Sequence, residues 1–437
     1  MLKRWLPLAA ALSCIVLGAC AGHSARLATP SLPVPYSETV TDERWQPAAK
    51  KARIIVEQAR AIHGLPSLTA AVAIDGKVVW AAAAGWSDVE TRTPATLTTR
   101  YRIGSTSKAV TATLLARLVD RGTMSLDAPA RTWAAQLPNP QWLALKPRQL
   151  ASHSAGIVDY GQNRDLVGLF HSLHERKQFE SVMDSLSVFD GNRLKSPPGV
   201  AFRYTSFDVV LLSALMEAAS GTSFLDLIQR QIANPLGATT LSADYQDRPM
   251  PDRATFYWRK KQNLRRWRHV NHSYKWAAGG LIASSSDLVR IGSAWLNPEY
   301  IQPETREAFW MPQKLANGMV NPQSYAIGWR SNLNPTLLGE GCPLWNVHHG
   351  GVSKGAYSWL VIYPEFRLVV AINANARLDE FADFIAIEQA ITRAFLASPG
   401  LDLGISGTKA DDVPASRGER HKTSNCQPSP SMTAPPP

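Results

Sequence analysis

Apolar residues recur every three to four positions through AAKKARIIVEQARAIHG (48–64), which predicts an amphipathic helix stopped by Gly64. The period then changes. In LTAAVAIDGKVVWAAAAGW (68–86) two β-rich runs flank Asp75-Gly76, the pair that suits a tight hairpin turn. A helix is expected from Ser105 to about Val119, apolar at Val110, Leu114, Leu115, Leu118 and Val119 and ending near Gly122. The middle of the chain, to about residue 300, reads as mostly helical with long loops. VVLLSALMEAAS (209–220) and SSDLVRIGSAWL (285–296) are its clearest helices, the second capped by Ser284 or Ser285. AYSWLVIY (356–363), a Pro364-Glu365 turn and RLVVAINA (367–374) predict a second hairpin, and DEFADFIAIEQAITRAFL (379–396) a last helix. Hairpins from both ends of the chain with helices between them predict an α+β fold. It would be one antiparallel sheet flanked by terminal helices, with an inserted α-rich subdomain.

The two ends read differently from the middle. Lys3 and Arg4 precede an apolar stretch to Leu17 that is short for a bilayer span, which is the pattern of a secretory signal over residues 1–19. Leu17-Gly18-Ala19-Cys20 resembles a bacterial lipobox, so Cys20 is the expected lipidation site; the competing expectation is an ordinary signal cut near Ala19 or Ala21. Residues 20–45, Pro- and Ser-rich at first, read as a tether, 46–400 as the folded domain and 401–437 as a disordered tail. The implied location is the periplasm of a bacterium, with the chain held through its lipid at a membrane, the outer one first. Of four cysteines, Cys342 and Cys426 remain for a disulfide in an oxidising compartment or for two free thiols. No Cys/His cluster argues for a metal, and no cofactor is implied.

Forty-six Lys and Arg against thirty-five Asp and Glu leave a net charge of +11. Part of the excess lies in WRKKQNLRRWRH (258–269), expected as a solvated hairpin whose tryptophans pack inward. Contact with lipid head groups or an anionic wall polymer is the next reading, and an exported chain gives nucleic acid no role.

Three stretches carry candidate chemistry. In YRIGSTSKAVTA (101–112) Ser105 precedes Lys108 by three residues, so one helical turn would bring the amine to the hydroxyl. A lysine whose pKa is lowered by burial can take that proton. The spacing alone decides little, because Ser is a common helix cap and the same pattern recurs at Ser406 and Lys409. In FRYTSFDVV (202–210), Tyr204 stands just before a helix, where its hydroxyl could share proton transfer with a lysine. In NVHHGGVSKG (346–355), Gly350 and Gly351 open a strand to close backbone approach, and one N–H there could serve an oxyanion. His153, in LASHSAGI, reads as a structural residue that fixes a turn.

In this order the three resemble the SxxK, YxN and KTG elements of serine β-lactamases and penicillin-binding proteins. The likeness is to the class C-like branch, which also holds D-aminopeptidases, esterases and the serine β-lactamase-like protein of mitochondria. It runs from about residue 50 to 397, with NHSYKWAAGGLIASSSDL and YAIGW as supporting stretches. The resemblance implies that Ser105 is an acylated nucleophile, Lys108 its base and Tyr204 a proton shuttle. It implies an oxyanion hole from the N–H groups of Ser105 and Gly351. Ser206 stands where class C enzymes have an asparagine that touches the substrate, and His348 where they have the lysine of KTG; His349 falls on a variable position. A neutral histidine is a weaker anchor for a β-lactam carboxylate, so the implied substrate is a peptide, D-amino-acid peptides included, or an ester, with little or no β-lactam hydrolysis. Self-association is implied by the filaments of the mitochondrial relative. The competing expectation is a non-catalytic lipoprotein that keeps the fold and binds cell wall or a partner.

Overall fold

The computed structural model describes residues 27–29, 33–166, 168, 170, 177–339, 342–398 and 401. The expected signal, Cys20, the second SxxK and almost all of the expected tail lie outside these residues. Cys342 is disulfide-bonded; Cys426, its expected partner, also lies outside them.

The main sheet is antiparallel and eight-stranded. Along it run, in spatial order, Arg330–Asn334, Leu344–Ser353, Ala356–Tyr363, Leu368–Ala374, Ser67–Ile74, Lys77–Asp88 and Tyr36–Val40, with the short strand Thr93–Pro94 paired to Lys77–Asp88. The two predicted hairpins meet at its centre, where Leu368 pairs with Ile74 and Ala374 with Leu68. Ser67–Ile74 is buried at every residue, which explains its unbroken apolar run: a central strand covered on both faces has no solvent side on which to alternate. Asp75 and Gly76 turn the first hairpin with φ of 50° and 77°.

Helices α1 (Gln46–Ile62) and α2 (Ser107–Asp120) are followed by α3 (Ser206–Ser220), α4 (Ser285–Ala294) and α5 (Phe381–Leu396). α1 and α5 cover one face of the sheet, where Phe395 meets Trp45 and Trp80 with ring centroids 6.1 and 5.8 Å apart. α4 covers the other face; its N-cap is Ser284, whose hydroxyl accepts from the Asp287 amide. Beyond α4 the inserted helical region packs around α2, which is buried on nearly every side from Ser107 to Leu118. This is the α+β architecture that the sequence predicts.

Two expectations are corrected. The sheet begins at Tyr36, ten residues before the expected domain start: Tyr36–Val40 pairs with Lys77–Asp88 as an edge strand, and Leu27–Ala28 pairs with Asn263–Arg266. An edge strand with one solvated side is too polar to stand out from a tether. The 258–269 stretch is a hairpin, Tyr257–Lys260 and Asn263–Arg266, but Trp258 points outward at 40% exposure. Strand alternation gives the inward positions to Tyr257 and Leu264, both buried.

Candidate active site

A cleft of about 320 Å³ opens between the end of the sheet and the helical region, lined by residues that include Ser105, Tyr204, Ser206, Lys275, Val352 and Arg377. Ser105 lies in the 3-10 turn Gly104–Thr106 that leads into α2, and its hydroxyl caps nothing. Gly104 has φ of 50°, and a side chain there would strike the Val352 backbone at 2.7–2.9 Å. The turn therefore sits directly against the strand Leu344–Ser353.

Lys108 lies one turn on, fully buried. Its Nζ donates to Ser105 Oγ at 3.1 Å, Ser206 Oγ at 3.2 Å and the Ala278 carbonyl at 2.7 Å. Burial pulls its pKa below that of a free lysine, and the charges of Lys275 and Arg330 add to the effect; interaction with Tyr204 opposes it. Tyr204 comes just before α3, where the Thr205 hydroxyl accepts from the Phe207 amide at 3.2 Å and donates to the Val158 carbonyl at 2.8 Å. That cap holds the tyrosine ring 4.9 Å from Lys108 Nζ. The structure thus gathers Ser105, Lys108, Tyr204 and Ser206 from two chain segments about a hundred residues apart.

The third stretch is displaced by one residue from its expected register. His348 faces away from the cleft, stacked on Trp359 at 4.6 Å and 3.1 Å from the Asn332 amide. Gly350 shares that side, where a Cβ would meet the Phe381 ring at 2.8 Å. His349 takes the inner side instead, with its ring 6.4 Å from that of Tyr204. Gly351 backs onto the nucleophile turn so closely that a Cβ would lie 1.8 Å from the Ile103 carbonyl oxygen. Val352, the next residue, lines the cleft where Gly351 does not. A strand with period two turns every side chain over when the register slips by one, so His349 and not His348 faces the site.

Two elements of the site were not assigned from sequence. Tyr325, within the YAIGW stretch, donates its hydroxyl proton to His349 Nε2 at 3.0 Å, while His349 Nδ1–H donates to the Gly350 carbonyl at 2.8 Å. Burial, with Arg330 and Lys108 nearby, keeps His349 neutral well below its ordinary pKa. Lys275, Lys354 and Arg377 give the cleft wall a cationic character against a single carboxylate, Asp159. Beneath them His153, with φ of 58°, has its ring centroid 4.4 Å from that of Tyr204 at a tilt of 53° and meets Asp208 at 3.1 Å. Burial holds that pair uncharged, with His153 well below and Asp208 well above their ordinary values.

The family model for Beta-lactamase matches residues 52–392. The chain is 26% identical over 397 residues to the mitochondrial serine beta-lactamase-like protein LACTB of Homo sapiens, covering 73% of this chain and 72% of that protein. It is 28% identical to a D-aminopeptidase of Gluconobacter oxydans, covering 71% of this chain and 56% of that protein. The D-amino acid amidase of Ochrobactrum anthropi superposes with a TM-score of 0.65 at 17% identity, over 80% of this chain and 99% of that one. With its matched span embracing the sheet apart from the Tyr36–Val40 edge strand, α2 and the cleft, the chain belongs to the Beta-lactamase family and is a serine hydrolase.

Proposed function

We propose that the protein hydrolyses a peptide or ester through an acyl-enzyme, with Ser105 as nucleophile. The observation that carries this reading is the buried Lys108 amine 3.1 Å from the Ser105 hydroxyl. Lys108 in its neutral form takes the hydroxyl proton as Oγ bonds to the substrate carbonyl carbon. The tetrahedral oxyanion lies against the N–H groups of Ser105 and Val352. As it collapses, the C–N or C–O bond breaks and the proton passes from Lys108 through the Tyr204 hydroxyl to the leaving group. Water then attacks the acyl ester, and its proton returns by the same residues to leave Ser105 free.

His349 places a neutral ring, its two nitrogens already bonded to Tyr325 and the Gly350 carbonyl, where a lysine would supply charge, so β-lactam turnover is poor. The cations Lys275, Lys354 and Arg377 favour a substrate that carries a carboxylate, and D-amino-acid peptides have one. Lipidation of Cys20 and a periplasmic location complete the reading, and light scattering of the purified chain tests self-association. The decisive experiment is labelling by a fluorophosphonate probe. Wild type should label and Ser105→Ala should not; equal labelling of the two, or none of wild type, sinks the mechanism. A panel of D-peptides, esters and β-lactams then ranks the substrates.

A further inference from the structure

The basic hairpin lies outside the cleft and takes no part in the chemistry above. Its surface carries four exposed cations, Lys260, Lys261, Arg265 and Arg268, beside exposed Trp258. Arg265 lies over the Trp258 ring at 5.5 Å, so cation and aromatic form one outward patch. Other charges of the hairpin are neutralised: Arg259 pairs with Asp379 at 2.8 Å and Arg266 with Glu90 at 3.0 Å. The four exposed cations have no such pairing among the described residues.

The second observation is where the chain enters. Leu27 pairs with Leu264 and Ala28 with Asn263, and the Thr29 amide donates to the Gln262 carbonyl at 2.9 Å. This pairing seats the first described residues against the strand Asn263–Arg266. Cys20 is seven residues before Leu27, a span of about 25 Å at full extension. A lipid on Cys20 therefore holds the hairpin within that distance of a bilayer.

We propose that the outer face of this hairpin, Trp258 with Lys260, Lys261 and Arg265, docks on an anionic phospholipid surface. Each cation near such a surface strengthens binding by about fivefold, an attraction that decays within a Debye length. An exposed tryptophan suits the head-group boundary, where its ring is half desolvated and its N–H stays wet. A soluble anionic polymer would use the cations equally but would give the exposed ring no apolar layer to enter. The hairpin is also joined to the cleft rim, since Arg259 Nε donates to the carbonyl of Arg377 at 3.0 Å. Docking thus fixes the height of the cleft above the bilayer.

The test uses the mature chain with Cys20→Ser, so that no lipid contributes. It should sediment with vesicles containing phosphatidylglycerol and not with phosphatidylcholine alone, and added salt should release it. Lys260→Glu, Lys261→Glu and Arg265→Glu together should weaken that binding by at least about a hundredfold. Trp258→Ala should weaken it severalfold without changing the salt dependence. Hydrolysis of a reporter ester in vesicle-free buffer should be unchanged in these variants, which establishes that they fold. Failure of wild type to bind phosphatidylglycerol vesicles, equal binding by the triple variant, or tighter binding to soluble polyphosphate than to vesicles would each overturn the proposal.

Discussion

The Tyr325 hydroxyl donates to His349 Nε2 across 3.0 Å, tying the loop before the strand Arg330–Asn334 to the inner face of the strand beside Ser105. The bond fixes which nitrogen of His349 carries its proton, because Nδ1 is committed to the Gly350 carbonyl. Tyr325→Phe removes that donor and leaves a buried acceptor unpaired, at about 1–3 kcal/mol. We expect kcat/KM for a reporter ester to fall about tenfold on this basis. His349 should also become easier to protonate, so the acid limb of the pH profile should move upward. A melting temperature lowered with an unchanged pH profile would make Tyr325 merely structural.

Lys108 should leave a signature in pH. Burial lowers its pKa, and only the neutral amine can accept the Ser105 proton. Activity should therefore rise with pH through the lowered pKa and be lost below it. Lys108→Ala should reduce kcat by about 10²–10⁴-fold and abolish that limb, so that the residual rate no longer follows the same titration. Stopped assays across a pH series on both proteins provide the measurement.

Much of this was legible in the chain because it is local. The three-residue spacing of Ser105 and Lys108 survives as one turn, and the Asp75-Gly76 turn needs no tertiary information. Tyr204 could be placed because a helix start follows it. The strand after Asn346 was harder. Two adjacent histidines and two adjacent glycines fit either register, and only the approach of Gly351 to Ile103 selects His349 as the inner residue. Tyr325 carries no sequence signal for its role, since it lies in a loop and its partner is 24 positions away on a strand. Trp258 was misplaced for a simpler reason: both Tyr257 and Trp258 are apolar enough to be buried, and only pairing decides which one is.

Gly351 offers a steric test of the register. Any side chain there would drive into the Ile103 carbonyl, at 1.8 Å, and into Thr106 Oγ1 at 2.7 Å. Neither obstacle can yield cheaply, because one is backbone of the nucleophile turn and the other is buried beside it. Gly351→Ala should push the strand off that turn and displace the Val352 N–H. We expect fluorophosphonate labelling of Ser105 to slow by at least about a hundredfold, the loss that follows removal of one oxyanion donor. Gly350→Ala meets side chains and no backbone, the Phe381 ring at 2.8 Å and the Trp359 ring at 3.0 Å, on the face away from the cleft, and should retain most of the labelling rate.

The last prediction concerns stability. Glu388, on α5, is wholly buried against the sheet, where it accepts from Trp359 Nε1 at 3.2 Å, from the Tyr363 hydroxyl at 3.1 Å and from the Thr392 hydroxyl. Burial outweighs these bonds and raises its pKa from 4.5 to about 7. Between those two values the folded protein keeps a proton that the unfolded chain has released. Stability from this group is therefore complete below pH 4.5 and is lost as pH rises through about 7. The total change is on the order of 3 kcal/mol. Glu388→Gln cannot ionise and loses an acceptor, so it should lower stability at acid pH. It should also flatten the decline between pH 4.5 and 7, the window its pKa shift defines. Denaturant melts of both proteins at several pH values decide the matter: parallel declines would mean that another group carries the proton.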